Sequence, residues 1–274
     1  MNPKLEYPER IKSEEERLRL QLNHPWSEAE LHFLASCQST NDEAKKRMGQ
    51  GPFDRLIFLS KEQKAGRGRR GRSFSSPPGG LYLTFAWAEE VFPPEPGILT
   101  ILAGCAVCQA LKENFEKEIS LRWVNDLQMG EKKVGGILAE TLLEGSDQRT
   151  GIILGIGINL KEPPEGFAPE IKDRAGALFT DLPGDFDRIR LTAAIIRSFF
   201  ALYPNRKKTG IALYRSLCQT LGKEIRYEQE GQIFQGRAID IGDDGSLWVQ
   251  SPSGERRSLS FGQVQILKGK RRCL

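Results

Sequence analysis

The stretch Lys61-Glu-Gln-Lys-Ala-Gly-Arg-Gly-Arg-Arg-Gly-Arg72 sets six basic residues against one acidic and places glycines at 66, 68 and 71. Glycine lets the backbone approach a ligand closely and adopt φ > 0. Arginine offers a permanently charged fork of donors that fits carboxylate and phosphate. A loop of this composition is suited to holding an anion. Its glycines also satisfy G-x-G-x-x-G, the dinucleotide fingerprint, which requires a helix directly afterwards. Here Arg72-Ser-Phe-Ser-Ser-Pro-Pro-Gly-Gly80 follows, and its prolines and glycines stop a helix, so that reading is rejected. Taken alone, the loop is also compatible with an arginine-glycine segment that binds RNA without sequence preference. Its place between two strands of a folded domain weighs against that.

Two further stretches carry groups of the same kind. In Leu121-Arg-Trp-Val-Asn-Asp-Leu127, followed by Lys132-Lys-Val-Gly-Gly-Ile-Leu138, an Asn-Asp turn leads to lysines and then to a Gly-Gly strand. Asp126 is a candidate oxygen ligand for Mg²⁺, a cation shared between carboxylates and substrate phosphates. Lys133, entering a buried strand, is placed to reach the same anion. The competing reading is a plain hairpin turn with solvated lysines. Gly155-Ile-Gly-Ile-Asn159 ends a strand, where small residues leave room for a flat ligand or simply thin a core strand.

Residues from about 31 read as one packed α/β domain that must position these groups. Strands are expected at Glu30–Ala35, Arg55–Ser60, Leu81–Ala88, Ser120–Trp123, Gly135–Leu142 and Thr150–Ile158. Ser39-Thr40-Asn41-Asp42 reads as a capped helix start running to Met48. Further helices are expected at Ile98–Phe115, Leu191–Tyr203 and Ile211–Leu221. After Leu221 the texture becomes short strands with Gly turns, at Glu224–Tyr227, Gln232–Asp240, Leu247–Gln250, Ser258–Phe261 and Val264–Leu267, which predicts a small all-β barrel. The expected organisation is a polar extension over 1–30 with a short surface helix, a catalytic domain over 31–221, and a small domain over 222–274 with a basic tail, Lys268–Arg272. No linker separates the two domains, so they are expected to pack closely.

Hydrophobic residues make up 39% and charged residues 28% of the 274, the balance of an ordinary globular protein. No apolar run approaches the roughly 20 residues of a membrane helix, and the charged N-terminus lacks a secretory h-region, so a cytoplasmic location is expected. The five cysteines, Cys37, Cys105, Cys108, Cys218 and Cys273, show no disulfide spacing. Cys105-Ala-Val-Cys108 lies in an apolar run without a second pair or a nearby histidine, which favours buried structural thiols over a metal or redox site.

Together these pieces resemble the biotin–protein ligase family. The resemblance rests on Ser39-Thr40-Asn41, Gln63-Lys-Ala-Gly-Arg-Gly-Arg-Arg-Gly71, Trp123-Val-Asn-Asp-Leu127, Lys133-Val-Gly-Gly-Ile137, Gly155-Ile-Gly-Ile-Asn159 and a closing Gly262-Gln-Val-Gln265, in the family's order and over roughly residues 31–268. It implies an α+β fold: a mixed sheet flanked by helices, related to the class II aminoacyl-tRNA synthetase catalytic domain, with a C-terminal SH3-like β-barrel. It also implies the reaction, in which biotin and ATP, with Mg²⁺, form biotinyl-AMP and a lysine of a biotin carboxyl carrier protein then takes the biotin.

By the same resemblance, Ser39, Thr40, Asn41 and Gln63 meet biotin's ureido group, while Arg67, Gly68, Arg69 and Lys133 meet its carboxylate. Arg69, Arg72, Trp123, Asn125, Lys133 and Asn159 serve the nucleotide, Asp126 the metal, and Lys133 and Arg69 the chemistry. Trp123 is equally readable as a core tryptophan. Val124 departs from the proline common in the family before Asn-Asp, which leaves Asn125 and Asp126 in place. Some members carry an N-terminal helix-turn-helix. None is readable in residues 1–30, so no sequence-specific DNA binding is expected. Lipoate–protein ligation is the nearest enzymatic rival and RNA binding the rival of another class. Whether the chain acts as a monomer or a homodimer stays open.

Overall fold

The computed structural model describes residues 13–89, 95–144, 149–184, 186–229, 231–260 and 264–267. Seven strands, β1 (Glu30–Leu34), β2 (Arg55–Ser60), β3 (Leu81–Glu89), β4 (Ser120–Arg122), β5 (Asp126–Met129), β6 (Lys132–Glu144) and β7 (Arg149–Ile158), form one sheet in the order β1-β2-β3-β7-β6-β5-β4. The β1–β2 pair is parallel and the other pairs are antiparallel, so the sheet is mixed, as expected. The helices are α1 (Glu14–Gln21), α2 (Thr40–Met48), α3 (Pro96–Phe115), α4 (Arg188–Leu202) and α5 (Ile211–Leu217).

Period-2 alternation sorts the sheet's two faces. Leu81, Leu83, Phe85 and Trp87 of β3 and Ile152, Leu154, Ile156 and Ile158 of β7 join the main core with α3 and α4. Ala86 and Ile153 instead pack under Ala44 and Met48 of α2. Pro96 opens α3, where its missing N–H costs nothing. At 20 residues, with a mean hydropathy of 1.2 over its most apolar stretch, α3 reaches the length the sequence reading found in no apolar run. Its place is the protein interior, with 72% of that stretch buried. Within it Cys105 and Cys108 are buried free thiols. Burial raises both, Cys108 to about 12, which makes them poor metal ligands or nucleophiles at neutral pH.

The structure corrects the reading of residues 13–30 as a surface extension. Ser13 and Glu16 form a capping box on α1. Leu18, Leu22 and Trp26, spaced four apart, enter the main core, and Trp26 packs edge-on to Phe85 and against Phe200. Charged neighbours hide this stripe from a composition count. Residues 1–12 lie outside the described residues.

The C-terminal strands β8 (Glu224–Gln229), β9 (Gln232–Ile241), β10 (Leu247–Gln250), β11 (Arg256–Leu259) and β12 (Val264–Ile266) make an antiparallel sheet in the order β11-β10-β9-β8-β12. Among the described residues β11 and β12 do not pair, and the expected SH3-like domain is described as this five-stranded antiparallel sheet. Part of Gly262-Gln-Val-Gln265, the tail Lys268–Arg272 and Cys273 lie outside the described residues. The close packing of the two domains holds: Ile225, Ile241, Leu247 and Val249 belong to the same apolar core as α3, and Trp123 Nε1 donates to the Gly245 carbonyl at 3.0 Å.

Candidate active site

Residues paired across a sheet share a face, so the register alone assembles the floor of the site. Thr84 pairs with Gly155, Gly155 with Leu138, Gly157 with Gly136, Gly136 with Asp126, and Asp126 with Arg122. Strict alternation would turn Lys133 away from Gly136, three residues on. A register shift between Leu127 and Gln128 sets Gln128 opposite Lys133 and Leu127 opposite Gly135, which brings the lysine back to this face. Lys133 Nζ lies 3.5 Å from where a Gly136 side chain would begin.

Above this floor opens a cavity of about 620 Å³, and every residue singled out from the sequence borders it: Ser39, Thr40, Asn41, Gln63, Arg67, Gly68, Arg69, Arg72, Trp123, Asn125, Asp126, Lys133 and Asn159. At one end the start of α2 supplies neutral polar groups, with Ser39, Thr40 and Asn41 all buried. Gln63 Oε1 accepts from the Thr40 amide at 2.8 Å and its hydroxyl at 3.1 Å, and Gln63 Nε2 donates to Ser76 Oγ at 2.8 Å. Asn41 Nδ2 donates to Glu140 at 2.8 Å, and its Oδ1 accepts from Thr84 at 2.7 Å. The glycines of β7 make room for protein rather than directly for a ligand. A Cβ on Gly155 would lie 2.2 Å from Asn41 Oδ1, and one on Gly157 would lie 2.4 Å from the Phe74 ring.

The other end is cationic. Lys133 Nζ sits 2.6 Å from Asp126 Oδ1, and Arg122 reaches Asp126 Oδ2 at 2.6 Å. Burial works to raise the Asp126 carboxyl, but the charges and hydrogen bonds of Lys133 and Arg122 outweigh it and hold the group below its usual value. Both carboxylate oxygens thus pair with cations, and the expected Mg²⁺ role of Asp126 requires it to exchange one of them for the metal. Among the described residues no group of three His, Cys, Asp or Glu side chains offers a metal site instead.

The arginine-glycine loop folds back as a narrow hairpin, with Arg67 opposite Ser73 and the Phe74 amide on the Gly66 carbonyl at 2.7 Å. Arg67 Nε ties it to Asp42 of α2 at 2.8 Å. Arg70 and Gly71, at the bend, take positive φ. Arg69 turns back into the cavity, where burial and the neighbouring charge of Arg70 lower its pKa. A cation held in unfavourable surroundings is one that an arriving anion stabilises.

Residues 33–159 match the Biotin/lipoate A/B protein ligase family, and residues 220–267 match the Biotin protein ligase C terminal domain. The bifunctional ligase/repressor BirA of Bacillus subtilis is 30% identical over 232 residues, covering 83% of this chain and 70% of that protein. The chain belongs to the biotin protein ligase family. The biotin–[acetyl-CoA-carboxylase] ligase of Mycobacterium tuberculosis is 29% identical over 249 residues, 87% of this chain and 90% of that protein. The fold is that of the family too. The biotin protein ligase of Aquifex aeolicus, solved in complex with biotin and ATP, aligns with a TM-score of 0.69 at 26% identity, over 87% of this chain and 99% of that one.

For a biotin protein ligase fold, several placements refine the reading from sequence. Trp123 is buried, with its indole N–H on Gly245 and its amide on Thr220 Oγ1 at 3.0 Å. Asn125 and Ile137 exchange two hydrogen bonds that pin the β4–β5 turn to β6, and the Trp123–Val124 peptide in that turn is cis. Asn159 Nδ2 donates to the Gly176 carbonyl at 2.9 Å, holding the segment that carries Arg174 beside Lys133. Sequence reasoning missed Arg122, Phe74, the wall formed by Phe167, Ile171 and Arg174, and the C-terminal residues Arg226, Glu228 and Ile233. Arg122 carried a signal: it precedes Trp123 and stands opposite Asp126 in any tight hairpin closed by Trp-Val-Asn.

Proposed function

We propose that this chain activates biotin with ATP and ligates it to a specific lysine of a biotin carboxyl carrier protein. The carrying observation is the single cavity that joins a buried neutral polar end to a cationic end. Biotin has that shape chemically, with a ureido ring needing donors and acceptors at one end and a carboxylate at the other. The relatives' names and the Aquifex aeolicus complex with biotin and ATP support the same assignment.

In the first step a biotin carboxylate oxygen bonds to the α-phosphorus as the bond to the β-phosphate oxygen breaks, giving biotinyl-AMP and pyrophosphate. Two anions must meet, so fixed positive charge lowers the barrier. Lys133 and Arg69 take the carboxylate and α-phosphate oxygens, Arg67 and Gly68 the carboxylate end, and Arg72 the outer phosphates. Ser39, Thr40, Asn41 and Gln63 hold the ureido ring. Asn125 and Asn159 fix the turn and the segment that border the nucleotide, while Phe167 and Ile171 offer an apolar side to the purine. In the second step a neutral acceptor amine attacks the acyl carbon, the bond to phosphate breaks, AMP leaves, and the amide nitrogen sheds a proton. Mg²⁺ enters with ATP, for which its preferred ligands are phosphate oxygens and water.

Residues 31–221 form the catalytic unit and 222–274 the closing domain in this proposal, with 13–30 built into the former. The free thiols, buried at Cys105, Cys108 and Cys218, suit the reducing cytoplasm. No operator binding is expected. The described α-helix before β1, α1, is anchored to α4 through Arg17–Asp187 and through Arg197 on the Gln21 carbonyl, so it is not available to a DNA groove. A gel-shift assay tests this.

The deciding experiment is ATP–pyrophosphate exchange with biotin or lipoate, followed by transfer of labelled biotin to a carrier domain. Biotin-dependent exchange and labelling are expected. Exchange supported by lipoate alone would reassign the pocket, and no exchange from folded protein would sink the proposal.

A further inference from the structure

The outward face of the C-terminal sheet forms one side of the cavity mouth. On β8 the outward residues are Arg226 and Glu228, on β9 Ile233, which pairs with Glu228, and on β12 Gln265, which pairs with Arg226. All four border the cavity, although of these only Gln265, in the closing motif, was named from the sequence. Ile233 keeps 59% of its surface exposed, one of three large apolar side chains so exposed among the described residues. An isoleucine standing free at the rim of a deep, charged cavity has no part in packing the sheet, whose inward face is filled by Ile225, Tyr227 and Phe234. Arg226 is exposed on this face, beside the cavity.

We infer that this face is the docking surface for the acceptor, resting on the ligation reading above. The second substrate is a macromolecule whose lysine must reach an acyl carbon inside the cavity. The lysine must therefore sit on a narrow protruding turn, and the domain bearing it must lie against the rim. Ile233 receives an apolar side chain of that turn, and Arg226 meets acidic residues around it. The free carrier domain is thus recognised partly by the closing domain, and the two half-reactions draw on different residues.

Two variants test this against a purified carrier domain. Ile233→Glu is expected to leave biotin-dependent ATP–pyrophosphate exchange unchanged and to raise the KM for the carrier about tenfold, the effect of losing one interface anchor. Arg226→Glu is expected to raise the same KM and to flatten its increase with ionic strength. Unchanged KM values in both variants would overturn the inference. So would loss of exchange in Ile233→Glu from folded protein, because that would make the isoleucine part of the biotin or nucleotide pocket. Absence of exchange in the unsubstituted chain would instead refute the ligation reading itself.

Discussion

Lys133 Nζ lies 2.6 Å from Asp126 Oδ1 across the β5–β6 pair, and Arg122 holds the other carboxylate oxygen at the same distance. We propose that Asp126 acts by aiming the lysine and not by binding Mg²⁺. In Asp126→Asn, exchange is expected to fall while the Mg²⁺ concentration giving half-maximal rate stays where it was; a rise in that concentration would restore the metal role. Stability is expected to drop by roughly 1–2 kcal/mol at neutral pH, since two cations lose their partner in a partly exposed setting. The folded carboxyl is depressed, so its contribution is present in full above the unfolded value near 4 and is lost as pH falls through the lower folded value. The gap in urea midpoint between the two proteins should thus be flat above about pH 5 and close under more acid conditions.

Lys133→Ala removes the charge proposed to meet the reacting anions. Exchange is expected to fall about a hundredfold or more, with only a modest fall in the thermal midpoint because Arg122 still pairs with Asp126. A variant with normal exchange would exclude the role.

Gly155→Ala tests the neutral end. The new Cβ would lie 2.2 Å from Asn41 Oδ1, and Asn41 is held by Thr84 and Glu140 and cannot simply swing away. Overpacking of this kind costs about 1–3 kcal/mol. Weaker biotin binding by calorimetry should accompany the lower stability. Wild-type affinity would mean that Asn41 does not shape the biotin site.

The site was legible wherever chemistry is written in short runs. Ser39–Asn41, Gln63–Arg72, Asn125–Asp126, Lys133 and Gly155–Asn159 each stand out by residue type, and all border one cavity. What escaped depends on long-range geometry. The bulge that turns Lys133 onto the face of Gly136 is a register irregularity with no local mark. Arg226 and Ile233 reach the cavity only because the C-terminal sheet docks beside it. The Leu18, Leu22 and Trp26 stripe is outnumbered by charge, and only the pocket among α4, Phe85 and Phe200 reveals its use.

Arg69→Gly tests retention of the intermediate. Arg69 lines the cavity, where burial and the charge of Arg70 outweigh the attraction of Asp126, so the proposed adenylate would supply the compensating negative charge. Biotinyl-AMP is expected to escape about tenfold faster, the equivalent of one charge-assisted contact. Chasing labelled adenylate from a trapped complex measures this, and release at the wild-type rate would remove Arg69 from the site.

Trp123→Phe separates a structural from a nucleotide-binding tryptophan. Phenylalanine keeps a buried ring but cannot donate to the Gly245 carbonyl, which joins the β4–β5 turn to the C-terminal sheet. Leaving that acceptor unpaired costs roughly 1–2 kcal/mol, and amide exchange should quicken around Gly245 and β10. The KM for ATP is expected to stay unchanged, since Asn125 still fixes the turn through Ile137. A several-fold rise in that KM without loss of stability would instead make the indole a direct partner of the nucleotide.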